Sequence, residues 1–164
     1  PWEADTAIGP LSMARQRDRV LSYIDKGRRD GAKLVRGGGN GGFDRGYFVE
    51  PTIFESVTPD MTIAREEIFG PVVSILRYRD EEHAIEIANN SLYGLSGTVF
   101  TADVERGEQI ARRVRTGNVS VNGLQIAPNI PFGGFKQSGV GREGGPEGLA
   151  AFLEPKAIYL PHDI

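Results

Sequence analysis

The sequence predicts an α/β protein with a mostly parallel sheet and crossover helices, and three observations point there. Between residues 71 and 122, strand-like and helix-like runs alternate: "PVVSILRY", "DEEHAIEIANN", "LSGTVFT", "ADVERGEQIARRVRTG" and "NVSVN". Strand, helix, strand, helix, strand is the order of a sheet whose strands are joined by crossover helices. The first of these runs is nearly all apolar, as in a strand covered on both faces. Hydrophobic residues make up 39% of the chain and charged residues 25%, so there is enough apolar matter for a core.

Taken from the start, residues 12–29 read as a helix. Ser12 is placed to cap it, Val20, Leu21 and Ile24 share a face, and Gly31 follows its end. "AKLVRG" (residues 32–37) is a short strand, and "GGGNGGFDRG" (37–46) a loop whose glycines supply positive φ. "YFVEPTIFESV" (47–57) is rich in β-branched and aromatic residues, and Pro51 divides it into two short strands. The strand at 71–78 comes next. Asp80 then opens a helix with Ala84, Ile85, Ile87 and Ala88 inward and acids in its first turn, which suits the helix dipole. A strand at 95–101 precedes a helix over 102–117 with Val104, Ile110, Ala111 and Val114 near one face. Gly107 weakens that helix by ~1 kcal/mol relative to alanine. Residues 118–122 are a strand, and 123–145 a long loop rich in glycine and proline, of the kind that is functional or disordered. A short helix at about 146–153 and a last strand, "KAIYL" (156–160), finish the chain.

Charge and composition remove several function classes. The formal net charge is -3 and no run of Lys or Arg could track a phosphate backbone, so no nucleic-acid partner is expected. No apolar run approaches ~20 residues, so no membrane-spanning helix is expected. Cysteine is absent, which leaves no thiolate nucleophile or thiolate metal site in this chain. His83 and His162 are far apart and lack ligand spacing, so no metal is expected. The chain opens "PWEADTAIGP" without an initiator Met and reads as a processed product or an excised piece. It carries no secretory signal, and a cytoplasmic location is expected.

Two stretches match G-x-G-x-x-G, "GGGNGG" (37–42) and "GVGREG" (139–144). That pattern cradles a pyrophosphate only where a strand feeds a glycine turn that opens a crossover helix. Neither stretch has that setting, and both are read as plain loops. The pair Glu66–Glu67 is different. It stands directly before "IFGPVV", a turn and an apolar strand. Either both acids are solvated at a bend, or one of them is aimed at a ligand.

Six blocks carry a resemblance to the aldehyde dehydrogenase superfamily. They are "IGPLSMARQRDRVLSYIDKGRRDGAKLVRGG" (8–38), "GYFVEPTIF" (46–54), "REEIFGPVVSI" (65–75), "AIEIANNSLYGLSGTVFTAD" (84–103), "RTGNVSVN" (115–122) and "PFGGFKQSGVGREGG" (131–145). Their order and spacing are similar to the family's over nearly the whole chain. The resemblance implies the C-terminal portion of such an enzyme: residues 1–155 as part of the catalytic domain and 156–164 as a terminal oligomerisation strand. It also implies that the cysteine nucleophile, general-base glutamate, oxyanion asparagine and dinucleotide-binding domain lie upstream. No catalytic residue is therefore expected in this chain, and the chain alone is expected to be inactive.

By the same resemblance, the parent oxidises an aldehyde to a carboxylic acid through a cysteine thiohemiacetal, with NAD or NADP as hydride acceptor. Glu67 is the acid implied to accept hydrogen bonds from the nicotinamide ribose, and Phe69 to pack near the nicotinamide. Gly70 and Pro71 fix the turn, and Glu66 is structural. The loop at 123–145 is implied to form the tunnel for the aldehyde, with Leu124, Ile126 and Phe132 lining it. Asn122 is read as a structural hydrogen-bonder. A homo-oligomeric parent and a small aldehyde substrate are implied. Two other readings stay open: a non-catalytic scaffold or oligomerisation module, and a coenzyme A-acylating aldehyde dehydrogenase.

Overall fold

The structure is a computed structural model and describes residues 3–160. The chain divides into two compact units, one running to Glu81 and the other from Glu82.

The first unit is built on helix α1 (Ala14–Arg29) and a three-stranded sheet of β1 (Lys33–Arg36), β2 (Thr52–Glu55) and β3 (Val72–Ser74), in the order β1-β2-β3. The N-cap of helix α1 lies one residue after the expected one: Met13 holds that position without a side-chain bond, so Ser12 does not cap the helix. Its end is as read. Gly31 has φ +95°, its N–H donates to Arg28 O, and the Ala32 N–H donates to Gly27 O. These two bonds satisfy the last carbonyls in the Schellman pattern. Val20, Ile24 and Phe54 are fully buried and seal the helix onto the central strand β2. Gly27 allows that approach, since a Cβ there would stand 2.9 Å from Ile63 Cδ1 and 3.2 Å from the Phe54 ring.

Strands β1 and β2 pair antiparallel, and β2 and β3 pair parallel through a crossover that contains the short helix α2 (Thr62–Arg65). Asp30 Oδ2 accepts from the Thr62 N–H at the start of α2. Residues 47–50 form no strand, and β3 is shorter than the run at 71–78. Among the described residues β3 is an edge. It is paired on one side only, and Val73 is 57% exposed, so the apolar run is not covered on both faces as expected.

The second unit contains helix α3 (Glu81–Asn89, from its second residue), β4 (Tyr93–Gly94), β5 (Ser96–Val99), helix α4 (Val104–Ala111), β6 (Asn118–Val121), β7 (Phe135–Lys136) and helix α5 (Gly145–Ala150). Strands β5 and β6 are parallel and joined by α4, the crossover that the sequence alternation predicts. Asp103 caps α4 by accepting from the Arg106 N–H at 2.9 Å. Gly107 has a packing reason: a Cβ there would meet Thr101 Cγ2 and Val121 Cγ1, each at 2.8 Å. The glycine that weakens the isolated helix lets it lie close on β6. Strand β4 pairs antiparallel with β7. On the surface, Arg113 holds Glu82 in a two-pronged ion pair, and the hydrogen bond lowers the Glu82 carboxyl below the ordinary carboxylate range.

The α/β class is as expected, but the ladders are mixed. Two are parallel and two antiparallel among the described residues, and they fall in three separate sheets. Residues 156–160 join no ladder among the described residues and are exposed throughout. The expected terminal strand is thus unpaired here, and its residues 161–164, with His162, lie outside the described residues. A strand needs a hydrogen-bonded neighbour, which a local apolar pattern does not specify.

Candidate functional site

The first unit places Glu66 and Glu67 at the end of α2. Glu66 is its C-cap, with extended φ and ψ, and its N–H donates to Thr62 O. From there the chain alternates sides. The Ile68 side chain turns into the core and is 8% exposed, while Glu67 and Phe69 on either side of it are exposed. Burying the Ile68 side chain pins this short irregular run to the core and leaves the side chains on either side of it in solvent. Phe69 has φ +60°, a left-handed conformation that non-glycine residues rarely adopt. Gly70 then lies against α1, where a Cβ would meet Val20 Cγ2 at 2.5 Å. Pro71 O accepts from the Thr52 N–H and ties the shelf to β2.

The two acids are separated by what touches them. The Tyr23 hydroxyl donates to Glu66 Oε2 at 2.5 Å. Arg19 reaches the same hydroxyl at 3.2 Å and stacks over the Tyr23 ring, with Lys26 also over that ring. Glu67 uses only its backbone: its carbonyl accepts from Arg19 Nη2 at 2.7 Å. Its carboxylate takes no hydrogen bond or ion pair among the described residues. Beside it, the Phe69 ring is 73% exposed. An acceptor-only carboxylate and a bare aromatic face therefore stand two residues apart on a rigid support. That pair suits a ligand offering hydroxyl donors next to a planar ring.

Sequence reading missed the support. Gln16, Arg19 and Tyr23 lie at helical spacing along one stripe of α1, and all three side chains reach residues 66–69. The spacing was visible in the sequence, but the partner some fifty residues away was not.

In the second unit, Leu124 and Ile126 are exposed, at 70% and 68%, in a segment without regular structure. Phe132 is half-buried and forms an antiparallel bridge with Glu143, which closes the loop on itself: each N–H donates to the other's carbonyl, at 2.7 and 2.8 Å. Asn122 has φ +57°, and its side chain makes two hydrogen bonds to the Thr101 backbone, both 2.8 Å, so it is a structural clamp. Asn118 donates to Pro131 O and so pins the start of the Phe132 turn to β6. Of the two glycine patterns, residues 37–42 run from β1 into turns, and residues 139–144 lead into a six-residue helix. Neither builds the strand–turn–helix cradle for a pyrophosphate. Among the described residues no group of three His, Cys, Asp or Glu side chains could hold a metal ion, and no helix is long and apolar enough to cross a membrane.

Residues 1–158 match the family model described as "Aldehyde dehydrogenase family". The chain belongs to the aldehyde dehydrogenase family. It is 50% identical over 164 residues to a betaine aldehyde dehydrogenase of Brucella anthropi, covering 98% of this chain and 34% of that protein. Among solved structures it is similar to a Mycobacterium tuberculosis aldehyde dehydrogenase complexed with NAD+, with a TM-score of 0.91 and 52% identity, covering 94% of this chain and 32% of that one. It is also similar to a mutant aldehyde dehydrogenase C of Pseudomonas syringae complexed with NAD+ and octanal, with a TM-score of 0.92 and 42% identity, covering 97% of this chain and 34% of that one. This aldehyde dehydrogenase chain thus spans about a third of the length of the relatives it matches.

Proposed function

We propose that, within a protein of its relatives' length, this chain forms one wall of a site that oxidises an aldehyde to a carboxylic acid with NAD or NADP. The observation that carries the reading is the difference between the two acids. Glu66 is engaged by Tyr23, whereas Glu67 stands exposed and its carboxylate takes no hydrogen bond or ion pair among the described residues, beside the exposed Phe69 ring. Glu67 accepts from the two hydroxyls of a nicotinamide ribose, and Phe69 packs against the nicotinamide. The residues present fit that ligand, since a carboxylate only accepts and a ribose diol offers two donors. Bound there, the nicotinamide supplies the hydride acceptor.

Leu124, Ile126 and Phe132 line the approach of the aldehyde. Their apolar side chains suit a substrate held by contact more than by hydrogen bonds. The chain holds no cysteine, so the thiol nucleophile belongs to residues outside it. Residues 156–160 serve a subunit contact. Ile158, Tyr159 and Leu160 are each more than three-quarters exposed, which suits a strand that finds its ladder on a second copy. That exposure is also the feature that favours the other reading, in which the chain is chiefly an oligomerisation module.

The test is activity of the full-length protein beside the chain alone. With an aldehyde panel and NAD or NADP, the full-length protein is expected to generate reduced-nicotinamide absorbance and free carboxylic acid, with no requirement for coenzyme A. The chain alone is expected to show no growth of that absorbance. Inactivity of the full-length protein across the panel supports the oligomerisation module. A strict requirement for coenzyme A supports the acylating enzyme, and turnover by the purified chain alone contradicts the placement of the nucleophile outside it.

A further inference from the structure

The shelf carrying Glu67 and Phe69 is held from behind by two side chains of α1. Three consecutive carbonyls, those of Glu67, Ile68 and Phe69, accept from that helix. Arg19 Nη2 donates to Glu67 O at 2.7 Å, and Gln16 Nε2 donates to Phe69 O at 2.7 Å and to Ile68 O at 3.2 Å. Arg19 has further contacts in Tyr23, over whose ring it lies. The Gln16 side chain touches the shelf and makes no other hydrogen bond among the described residues. It is half-buried at the margin of the core rather than within it.

Phe69 gives that contact a purpose. Its φ of +60° is disfavoured for a residue with a Cβ, and such a conformation persists only where its surroundings hold it. The Ile68 side chain anchors the shelf inward and Gly70 seats it on Val20, but neither supplies a hydrogen bond to the carbonyl of Phe69. The carbonyl of that peptide is the one Gln16 holds at 2.7 Å. Were it released, Phe69 could relax to negative φ, which would swing its ring and loosen the backbone that presents the Glu67 carboxylate.

We infer that Gln16 is a positioning residue: its two-carbonyl grip keeps Phe69 left-handed and so fixes where the Phe69 ring and the Glu67 carboxylate stand. It acts through the backbone of its neighbours, on a ligand with hydroxyl donors beside a planar ring. The functional half of this inference rests on the reading of Glu67 and Phe69 as the nicotinamide-side contact.

The experiment uses the full-length protein with Gln16→Met, which keeps length and removes the donor. Gln16→Glu, which keeps shape and sets an acceptor against two carbonyls, is the second variant. Deuterium uptake by the peptide spanning residues 64–74, measured without cofactor, is expected to quicken about tenfold or more in both. Affinity for ADP, a probe that lacks both the nicotinamide and the ribose that carries it, is expected to stay within about twofold of the parent, since it does not reach the shelf. Single-turnover hydride transfer is expected to slow about tenfold, and Gln16→Met combined with Glu67→Gln to be no slower than Glu67→Gln alone, because both act on one contact. Unchanged deuterium uptake in both variants would overturn the inference. So would losses of Gln16→Met and Glu67→Gln that multiply in the double variant. Faster uptake in a protein whose Glu67→Gln hydride rate is normal would instead remove the cofactor reading and leave Gln16 as the strut of the loop.

Discussion

Gly117→Ala is expected to unfold the second unit or cripple its packing, although it adds a single methyl group. The position ends the turn into β6, and its φ is not in the left-handed region, so conformation is not the obstacle. The obstacle is space. A Cβ on Gly117 would stand 1.6 Å from Gly133 O and 2.8 Å from Gly133 C. Both are backbone atoms of the turn that follows Phe132, and that turn is held by Asn118 through Pro131 O. A flexible side chain could move aside, but here the turn itself must move, and the hydrogen bonds that seat it go too. Overpacking ordinarily costs ~1–3 kcal/mol, and a collision with backbone belongs at or above the upper end of that range. Gly123→Ala is the control, because nothing lies within 4 Å of a Cβ there. Urea unfolding followed by circular dichroism should show a much lower midpoint for Gly117→Ala and an almost unchanged one for Gly123→Ala. Equal midpoints would mean that the glycine contact between the two segments is not as described.

Phe54→Ala is expected to be the most damaging truncation in the first unit. Phe54 is fully buried at the centre of the middle strand and touches α1 where Gly27 allows a close approach. Removing a buried phenyl ring costs about 3–5 kcal/mol, from lost transfer energy and the cavity left behind. Domains are stable by only ~5–15 kcal/mol in total, so the loss should be visible as a large fall in melting temperature. Val140→Ala, at a side chain that is 100% exposed, should change the melt little. A melting temperature for Phe54→Ala within a degree or two of the parent would contradict its place in the core.

These residues show where the sequence was informative. Helix α1 was legible because Val20, Ile24 and Gly31 mark a face and an end within one local stretch, and α4 because Ile110 and Ala111 mark a face, while its cap, Asp103, was not singled out. Helix signals are short-range. Ladders are not. The run at 71–78 looked like a strand buried on both faces, yet its strand is confined to Val72–Ser74 and among the described residues it pairs on one side, because the pairing is set by β2 and not by the run itself. Residues 156–160 show the same limit, with a strand-like pattern and no partner among the described residues. At the site, the block "REEIFGPV" singled out Glu67 and Phe69 by resemblance. Nothing local could say which acid Tyr23 would take, or that Gln16 and Arg19 would brace the turn from about fifty positions away.

The central claim is that Glu67, and not Glu66, faces the nicotinamide ribose, and a pair of single-turnover rates in the full-length protein tests it most directly. Glu67→Gln keeps one acceptor but loses the charge and presents an NH2 to a donor hydroxyl. Hydrogen bonds to charged groups contribute ~1.5–3 kcal/mol, so hydride transfer should slow about tenfold or somewhat more, while the rest of the cofactor stays anchored elsewhere. Glu66→Gln should change little, because a glutamine oxygen can still accept from the Tyr23 hydroxyl that now lies 2.5 Å from Glu66 Oε2. Near-parent rates for both variants would return Glu67 to the solvated acids of a turn, and a larger loss in Glu66→Gln would mean that the two carboxylates are assigned the wrong way round.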